Sequence, residues 1–390
     1  MPTKTKQSEA QKIPKLRFSG FWGVWENKKI GKVGKITTGN TPPTANRRFY
    51  DGDFLFVSPA DINNSHYVVN TKTKLSQSGF DCCRKIRKGA VLFVCIGSTI
   101  GKIAQSNGEC ATNQQINAIE SSESNFDDFI YFRLLVDAKK IKMLAGTQAV
   151  PQINKTDFSN IKTFFPSLPE QQKIANFLGV VDEWIENLRA QKEAFMLYKK
   201  GVMQKIFSRE VRFGDADWEE RRLGDIFENT RGHVLAMSMV SKEKTGKYKY
   251  PVYSSQTTND GLSGYYKDYL FEDCITWTTD GANAGDVKFR SGKFYCTNVC
   301  GVLKSDRGYA NLCVAEIFNS IARKYVSYVG NPKLMNNVVS IIKVFIPKSV
   351  TEQQKIAEFL TSIDNLIESK QQQIAQAEEW KRGLMQGLFV

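Results

Sequence analysis

Six consecutive residues, Glu170-Gln-Gln-Lys-Ile-Ala175, occur again 182 positions later as Glu352-Gln-Gln-Lys-Ile-Ala357. The match runs without a gap to Phe207 and Phe389, and Gly201, Met203 and Gln204 return as Gly383, Met385 and Gln386. About 17 of the 38 aligned positions are identical, so the 390-residue chain is a tandem duplication. A second match opens each half: Arg17-Phe18, Trp25-Glu26 and Gly31 correspond to Arg212-Phe213, Trp218-Glu219 and Gly224. Between these ends the likeness thins to glycine and turn chemistry. Gly97-Ser-Thr-Ile-Gly101 faces Gly281-Ala-Asn-Ala-Gly285, and Thr112-Asn113 faces Thr297-Asn298. Each half is therefore a variable block of about 140 residues followed by a matched block of about 40.

The matched blocks carry a helical period. Ile174, Leu178, Val181, Ile185, Leu188, Lys192, Phe195, Lys199, Val202 and Ile206 follow at steps of four and three, a heptad seam. The second copy keeps register through Ile356, Leu360, Ile363, Ile367, Lys370, Ile374, Ala377, Lys381, Leu384 and Leu388. Pro169 and Thr351 stand where a helix begins, and Glu170 and Glu352 suit the positive end of its dipole. Asp182 and Asp364 are placed to cap a second, longer helix after a short first one. Lys192 faces Ile374 across the repeat, Leu188 faces Lys370, and bulky Phe195 faces small Ala377. Such exchange suits two helices of one chain packed on each other; the alternative is that each covers its own domain.

The variable blocks have a mixed α/β (α+β) pattern. Phe54–Val57, Ala90–Ile96 and Cys274–Thr278 have strand composition, bounded by turn signals at Asp51-Gly52, Lys88-Gly89 and Asp260-Gly261. Phe126–Leu144 and Ala310–Val329 have helical composition. The expected organisation is a disordered basic tail over 1–15, a first globular domain over 16–165 and a helical region over 166–207. A second globular domain over 208–346 and a second helical region over 347–390 follow.

With 54 Lys+Arg against 40 Asp+Glu, the net charge is +14, a surplus that favours a polyanionic partner such as nucleic acid. No apolar run approaches the ~18 residues of a membrane span, and the polar start has no secretory apolar region. The eight cysteines include adjacent Cys82 and Cys83, and Cys296 and Cys300 have no second pair or nearby histidine to complete a zinc site. Reduced thiols, no bound metal and a cytoplasmic location are expected.

Catalytic signatures are missing. A phosphate-binding loop needs four residues between its glycines and Ser or Thr after the lysine; Gly97–Lys102 has three, followed by Ile103. No Asp-Pro-Pro-Tyr or Asn-Pro-Pro-Tyr is present, and His66 and His233 are the only histidines, leaving little material for a hydrolytic triad. No catalytic residue is assigned.

Two divergent blocks, each followed by one copy of a helical block, resemble the specificity (S) subunit of type I restriction-modification systems. The carrying residues are Leu168-Pro-Glu-Gln-Gln-Lys-Ile-Ala175 with its echo at 352–357, and Leu178…Asp182-x-x-Ile185 with Leu360…Asp364-x-x-Ile367. The endings at 199–204 and 381–386 and the Arg-Phe…Trp-Glu openings complete the likeness, which covers nearly the whole chain. Pro347-Lys-Ser-Val-Thr351 replaces the Pro-Leu-Pro lead-in of the first copy. The resemblance implies that each variable block is a target recognition domain for one half of a bipartite, asymmetric double-stranded DNA site. It also implies that the helices pair as an antiparallel coiled coil, with a pseudo-two-fold repeat, and set the spacing. Methyltransferase (M) subunits, two of them, would dock on the helices and carry S-adenosylmethionine. Restriction/translocase (R) subunits would carry ATP and Mg²⁺, this chain binding no cofactor and having no activity alone.

Candidate DNA contacts in the first block are Arg47, Arg48, Ser58, Asp61, Lys72, Lys74 and Lys102, with Asn113, Gln114, Gln148 and Gln152 as amides suited to adenine edges. In the second block they are Arg231, Lys242, Lys244, Lys247, Gln256, Asn283, Arg290, Lys293 and Lys333. Partner contacts are expected off the seam, at Gln171, Gln172, Phe177, Trp184, Gln353, Gln354, Phe359 and Leu366. Two other functions fit the composition: a nuclease or modification enzyme with an unrecognised site, and a coiled-coil scaffold whose charge only solubilises it.

Overall fold

The computed structural model describes residues 13–63, 65–146, 150–255 and 259–390. The expected tail over 1–15 lies mostly outside these residues. The chain divides into two compact units: unit 1 contains residues up to Ala190 together with Gln372–Val390, and unit 2 contains Gln191–Gln371. Each unit therefore draws helical residues from both matched blocks.

Unit 1 runs through β1 (Glu26–Lys29), β2 (Gly34–Thr38), β3 (Tyr50–Val57), β4 (Tyr67–Val68), β5 (Thr73–Leu75) and α1 (Gln77–Asp81). Then come β6 (Val91–Val94), β7 (Ile103–Ser106), β8 (Cys110–Thr112), β9 (Ile116–Ser121), α2 (Asp127–Met143), α3 (Lys155–Asn160) and β10 (Lys162–Phe165). A five-stranded sheet has the order β2-β9-β6-β7-β4, a three-stranded sheet the order β5-β3-β8, and β1 pairs with β10. Central β6 is apolar at every position because both its faces are covered. Val91 and Phe93 pack with Trp25, Phe129 and Ile174, whereas Leu92 and Val94 pack with Val57, Ile62 and Ile116.

Helix α4 (Leu168–Phe207) follows, and unit 2 continues with β11 (Trp218–Arg222), α5 (Leu223–Ile226), β12 (Glu228–Arg231), β13 (Tyr250–Tyr253) and β14 (Leu262–Tyr266). Next are β15 (Phe271–Thr278), β16 (Val287–Cys296), β17 (Cys300–Lys304), α6 (Leu312–Ala322), α7 (Asn336–Ile341), β18 (Lys343–Pro347) and α8 (Val350–Leu388). Its six-stranded sheet has the order β12-β17-β15-β16-β13-β14, and β11 pairs with β18. The two faces of β15 divide as those of β6 do. Ile275 and Trp277 pack with Phe318 of α6, and Cys274 packs with Phe294, Cys296 and Val302. The helix expected to reach Val329 ends at Ala322, where Arg323–Tyr325 tighten into a 3-10 turn.

Helices α4 and α8 are unbroken over 40 and 39 residues, about 60 Å each at 1.5 Å per residue. The expected break at Asp182 and Asp364 is absent. A capping carboxylate has to turn back onto nearby backbone N–H groups, and these two are engaged elsewhere. Asp182 pairs with Lys381 and lies 3.3 Å from His66 Nδ1, and Asp364 accepts from Lys199 at 2.9 Å.

In unit 1, Val181, Ile185 and Leu188 of α4 form one apolar seam with Ile374, Ala377 and Leu384 of α8. The pairs Asp182–Lys381 and Arg189–Glu378 show that the two segments run antiparallel. In unit 2 the antiparallel pairs are Lys192–Gln371 and Lys199–Asp364. The ends of the seam serve the domain cores instead: Ile174 and Leu178 pack around Trp25, and Ile206, Ile356 and Leu360 pack around Trp218.

Candidate nucleic-acid interface

The loops retained through the duplication are held by one set of backbone bonds, made twice. In unit 1 the N–H of Gly97 donates to Pro151 C=O (2.9 Å), Gly101 to Val94 (3.1 Å) and Ile153 to Cys95 (2.9 Å). Cys95 donates to Gln115 (2.8 Å), Asn113 to Val57 (3.0 Å) and Gly39 to Ile116 (3.1 Å). In unit 2 the partners are Gly281–Pro332, Gly285–Thr278, Leu334–Thr279, Thr279–Val299, Thr297–Tyr253 and Gly232–Cys300, all at 2.9 Å. Gly97, Gly101, Gly281 and Gly285 have φ between +83° and +94°, a conformation that side chains resist, so glycine survived where its neighbours changed. The bonds also correct the alignment by one residue: Asn113, not Thr112, is the equivalent of Thr297.

Around the turn of unit 1 lie uncharged polar groups. Thr41 Oγ1 donates to Gln114 Oε1 at 2.8 Å, Asn113 Nδ2 donates to Gln115 Oε1 at 2.9 Å, and Gln152 is exposed and bridged to Ile96. Lys102 is exposed and reaches the Pro59 carbonyl at 3.1 Å. Ser58 and Asp61 are engaged with each other, the Asp61 carboxylate accepting three hydrogen bonds. Its Oδ2 accepts from Ser58 N and Oγ at 2.9 and 2.6 Å, and its Oδ1 accepts from Lys72 N at 2.8 Å. This clamp ties the backbone of Lys72, whose side chain is exposed, to Asp61, and Lys74 is half-buried on β5. Arg47 and Arg48 are exposed on a one-turn helix bonded to Ser76 and Ser78, a basic surface of its own. Gln148 lies outside the described residues.

The equivalent surface of unit 2 is charged. Arg231, Asp280 and Lys333 meet there, and Asn283 Nδ2 donates to the Ser255 carbonyl at 3.2 Å. Lys242, Lys244 and Lys247 are exposed in the segment before β13. Arg290 is withdrawn from the DNA set: it is 8% exposed, bonded to Asp260 Oδ2 at 2.6 Å and stacked 3.8 Å from the Tyr253 ring centre. Burial works to raise the Asp260 carboxyl, but Arg290 and Lys288 outweigh it and hold it below its ordinary value. Lys293 sits opposite Glu272 with its Nζ over the Tyr269 ring, whereas the glycine turn adjoins Thr278. Gln256 lies outside the described residues.

The residues proposed for partner contact separate into two groups. Gln171 and Gln353 are fully buried and join each helix start to its own domain. Gln171 bonds Pro166 C=O (3.0 Å), Phe126 N (3.1 Å) and Asn125 (3.3 Å); Gln353 bonds Pro347 C=O (2.7 Å) and Asn311 Nδ2 (2.8 Å). The neighbouring carboxylates are buried too, Glu170 held twice by Arg17 at 2.8 Å and Glu352 by Trp218 Nε1 at 3.2 Å. Half-buried Phe177 packs edge-on to both Phe18 and Trp380, and half-buried Phe359 packs on Phe213. Gln172, Gln354 and Leu366 remain exposed. Trp184 is 48% exposed and meets Trp380, 49% exposed, at 6.3 Å, with Val180 also exposed. Trp380 and Val180 were missed; an apolar residue off the heptad stripe was their only signal.

Among the described residues no helix is long and apolar enough to cross a membrane. A family model described as the type I restriction modification DNA specificity domain matches residues 23–194 and again 215–379. A putative type I specificity subunit of Mycoplasma pneumoniae is 31% identical over 220 residues, 56% of this chain and 80% of that protein. The type I restriction enzyme MjaVIII specificity subunit of Methanocaldococcus jannaschii is 24% identical over 403 residues, 93% of this chain and 91% of that one. The crystal structure of a type I restriction-modification S subunit from M. genitalium shares the fold with a TM-score of 0.68 at 19% identity, over 97% of this chain and 99% of that one.

Proposed function

The chain belongs to the family of type I restriction modification DNA specificity domains, and on that premise we propose that each unit reads one half of a split DNA site through the loops gathered at its glycine turn. One observation carries this reading: the two loop frames share their backbone bonds and differ in the side chains they present. A fixed frame with exchanged side chains suits two unlike half-sites, and hence a site that is not palindromic. Exposed lysines and arginines would hold phosphates, and side chains at the turn would touch base edges.

Helices α4 and α8 would set the separation of the half-sites and present the docking surface for methyltransferase subunits, two per chain. Restriction or translocase subunits would complete the assembly in the cytoplasm. S-adenosylmethionine, ATP and Mg²⁺ would belong to those partners, and the chemical steps with them.

Single-molecule methylation sequencing of cells expressing the chain with its methyltransferase tests the reading. Two unlike half-motifs at a fixed separation are expected; a contiguous or palindromic motif would overturn it. Cleavage or methylation by the purified chain alone would favour an enzyme. DNA affinity that does not fall with salt would favour a scaffold, since phosphate contacts release counterions.

A further inference from the structure

In unit 2 the carboxylate of Asp280 gathers two cations of the loop cluster. Arg231 Nη2 donates to Asp280 Oδ2 at 3.0 Å and to Thr279 Oγ1 at 3.1 Å, and its Nε donates to the Asn298 carbonyl. Lys333 Nζ lies 4.0 Å from Asp280 Oδ1, and a backbone bridge joins the same two residues. These bonds fix the guanidinium plane. Arg231 Nη1 has no partner among the described residues, and 41% of the side chain is open to solvent.

Unit 1 shows that the frame does not need this triad. The bridge Asp280–Lys333 is the counterpart of Ile96–Gln152, and Gly232, following Arg231, is the counterpart of Gly39, following Thr38. The equivalents are thus Thr38, Ile96 and Gln152, under the same backbone bonds. A charged cluster that one copy of a fold dispenses with is not what holds that fold together.

We infer that Arg231 reads a guanine in the half-site of unit 2, with Asp280 as the positioning residue behind it and Lys333 on a neighbouring phosphate. This rests on the reading that unit 2 binds DNA. Guanine offers O6 and N7 on its major-groove edge, and with Nε and Nη2 already engaged it is the two N–H groups of Nη1 that remain to meet this pair of acceptors. A carboxylate behind the guanidinium orders it before binding, so less side-chain freedom is lost on contact. Unit 1, with threonine, isoleucine and glutamine in these places, would lack this guanine contact.

The experiment is methylation sequencing of cells expressing the full complex with wild-type chain, with Arg231→Ala, with Asp280→Asn, and with the combined Arg231→Thr, Asp280→Ile, Lys333→Gln. The combined variant carries the residues that unit 1 tolerates in the same frame, which guards against a folding failure. Arg231→Ala and the combined variant should lose discrimination at one G·C pair by roughly 5- to 150-fold. Asp280→Asn should relax the same pair less; a merely structural Asp280 would lower methylation at all sites and leave the motif unchanged. The half-site altered by Gln114→Ala in unit 1 should be the other one. An unchanged motif, relaxation at an A·T pair, or relaxation in both half-sites would overturn the assignment. Absence of any bipartite motif with wild-type chain would instead overturn the reading on which it rests.

Discussion

Lys199 donates to Asp364 at 2.9 Å in unit 2, and these two residues are the repeat equivalents of Lys381 and Asp182, which pair in unit 1. One ion pair between the matched blocks is therefore made twice, with the helices exchanging donor and acceptor. The third partner differs: Glu316 of α6 bonds Lys199 at 2.8 Å, and His66 lies beside Asp182.

The Lys199 cluster should be costly to break and indifferent to neutral pH. Lys199→Met leaves Glu316 and Asp364 without their cation; with Asp364 partly screened by solvent, unit 2 is expected to lose about 1–2 kcal/mol. Adding Glu316→Gln and Asp364→Asn should restore most of that. Desolvation lowers the Lys199 pKa, but Glu316 and Asp364 outweigh it and raise it above its ordinary value. Its contribution is then complete below the unfolded pKa of ~10.4 and is lost as pH rises beyond that. Urea titrations of wild type and variant should differ by a constant amount from pH 6 to 9 and converge only in stronger alkali. In unit 1 burial opposes, but His66 and Lys381 hold the Asp182 carboxyl below its usual range. Its contribution is present above the unfolded pKa of ~3.9 and fades as the solution is acidified below it.

Gln171→Ala and Gln353→Ala should weaken the fold and spare the partner. Each removes a buried amide and strands backbone or side-chain groups that it satisfied, a loss of about 1–3 kcal/mol apiece. Thermal unfolding should register it, while methyltransferase affinity of the folded chain stays unchanged.

Trp184→Ala should do the reverse. A half-exposed tryptophan beside Trp380 contributes little to the fold, but a desolvated aromatic anchor is worth about 2 kcal/mol or more at an interface. Sedimentation of the chain with methyltransferase should show at least a tenfold weaker complex at unchanged melting temperature.

Four residues inserted after Ala190 and four after Gln371 fall where the two units divide, leaving the contacts within each in place. The added length is ~6 Å per helix, just over one turn. The methylated motif should keep both half-sites and widen its spacer by about two base pairs; an unchanged spacer would remove the helices from any role in setting it.

The helices were legible because the seam from Ile174 to Ile206 is a local periodicity, readable without knowing what it touches. Their continuity was not, since Asp182 has the composition of a cap until Lys381 and His66 are brought to it from far along the chain. The same limit hid Gln171 and Gln353: an amide on a helix is polar in any reading, and only the packed domain shows it sealed from water. At the candidate interface, Arg231 and Lys333 were visible as charges, but Asp280 acquired meaning only beside Ile96, once the bonding frame aligned two stretches whose sequences had drifted apart. Arg290 has the composition of a nucleic-acid ligand, and only the packed domain shows it used as an internal lock on Asp260.

Unit 1 is completed by Gln372–Val390, whose Met385, Leu388 and Phe389 pack on Trp25 and Phe129 and whose Val390 carbonyl accepts from Arg133 at 2.9 Å. During synthesis this apolar face therefore emerges from the ribosome long before its cover does. At about 5–20 residues per second, the interval is on the order of 10–40 s. Over that interval the nascent chain carries a sticky, half-built domain, which makes it a natural client for chaperones and an easy target for proteases.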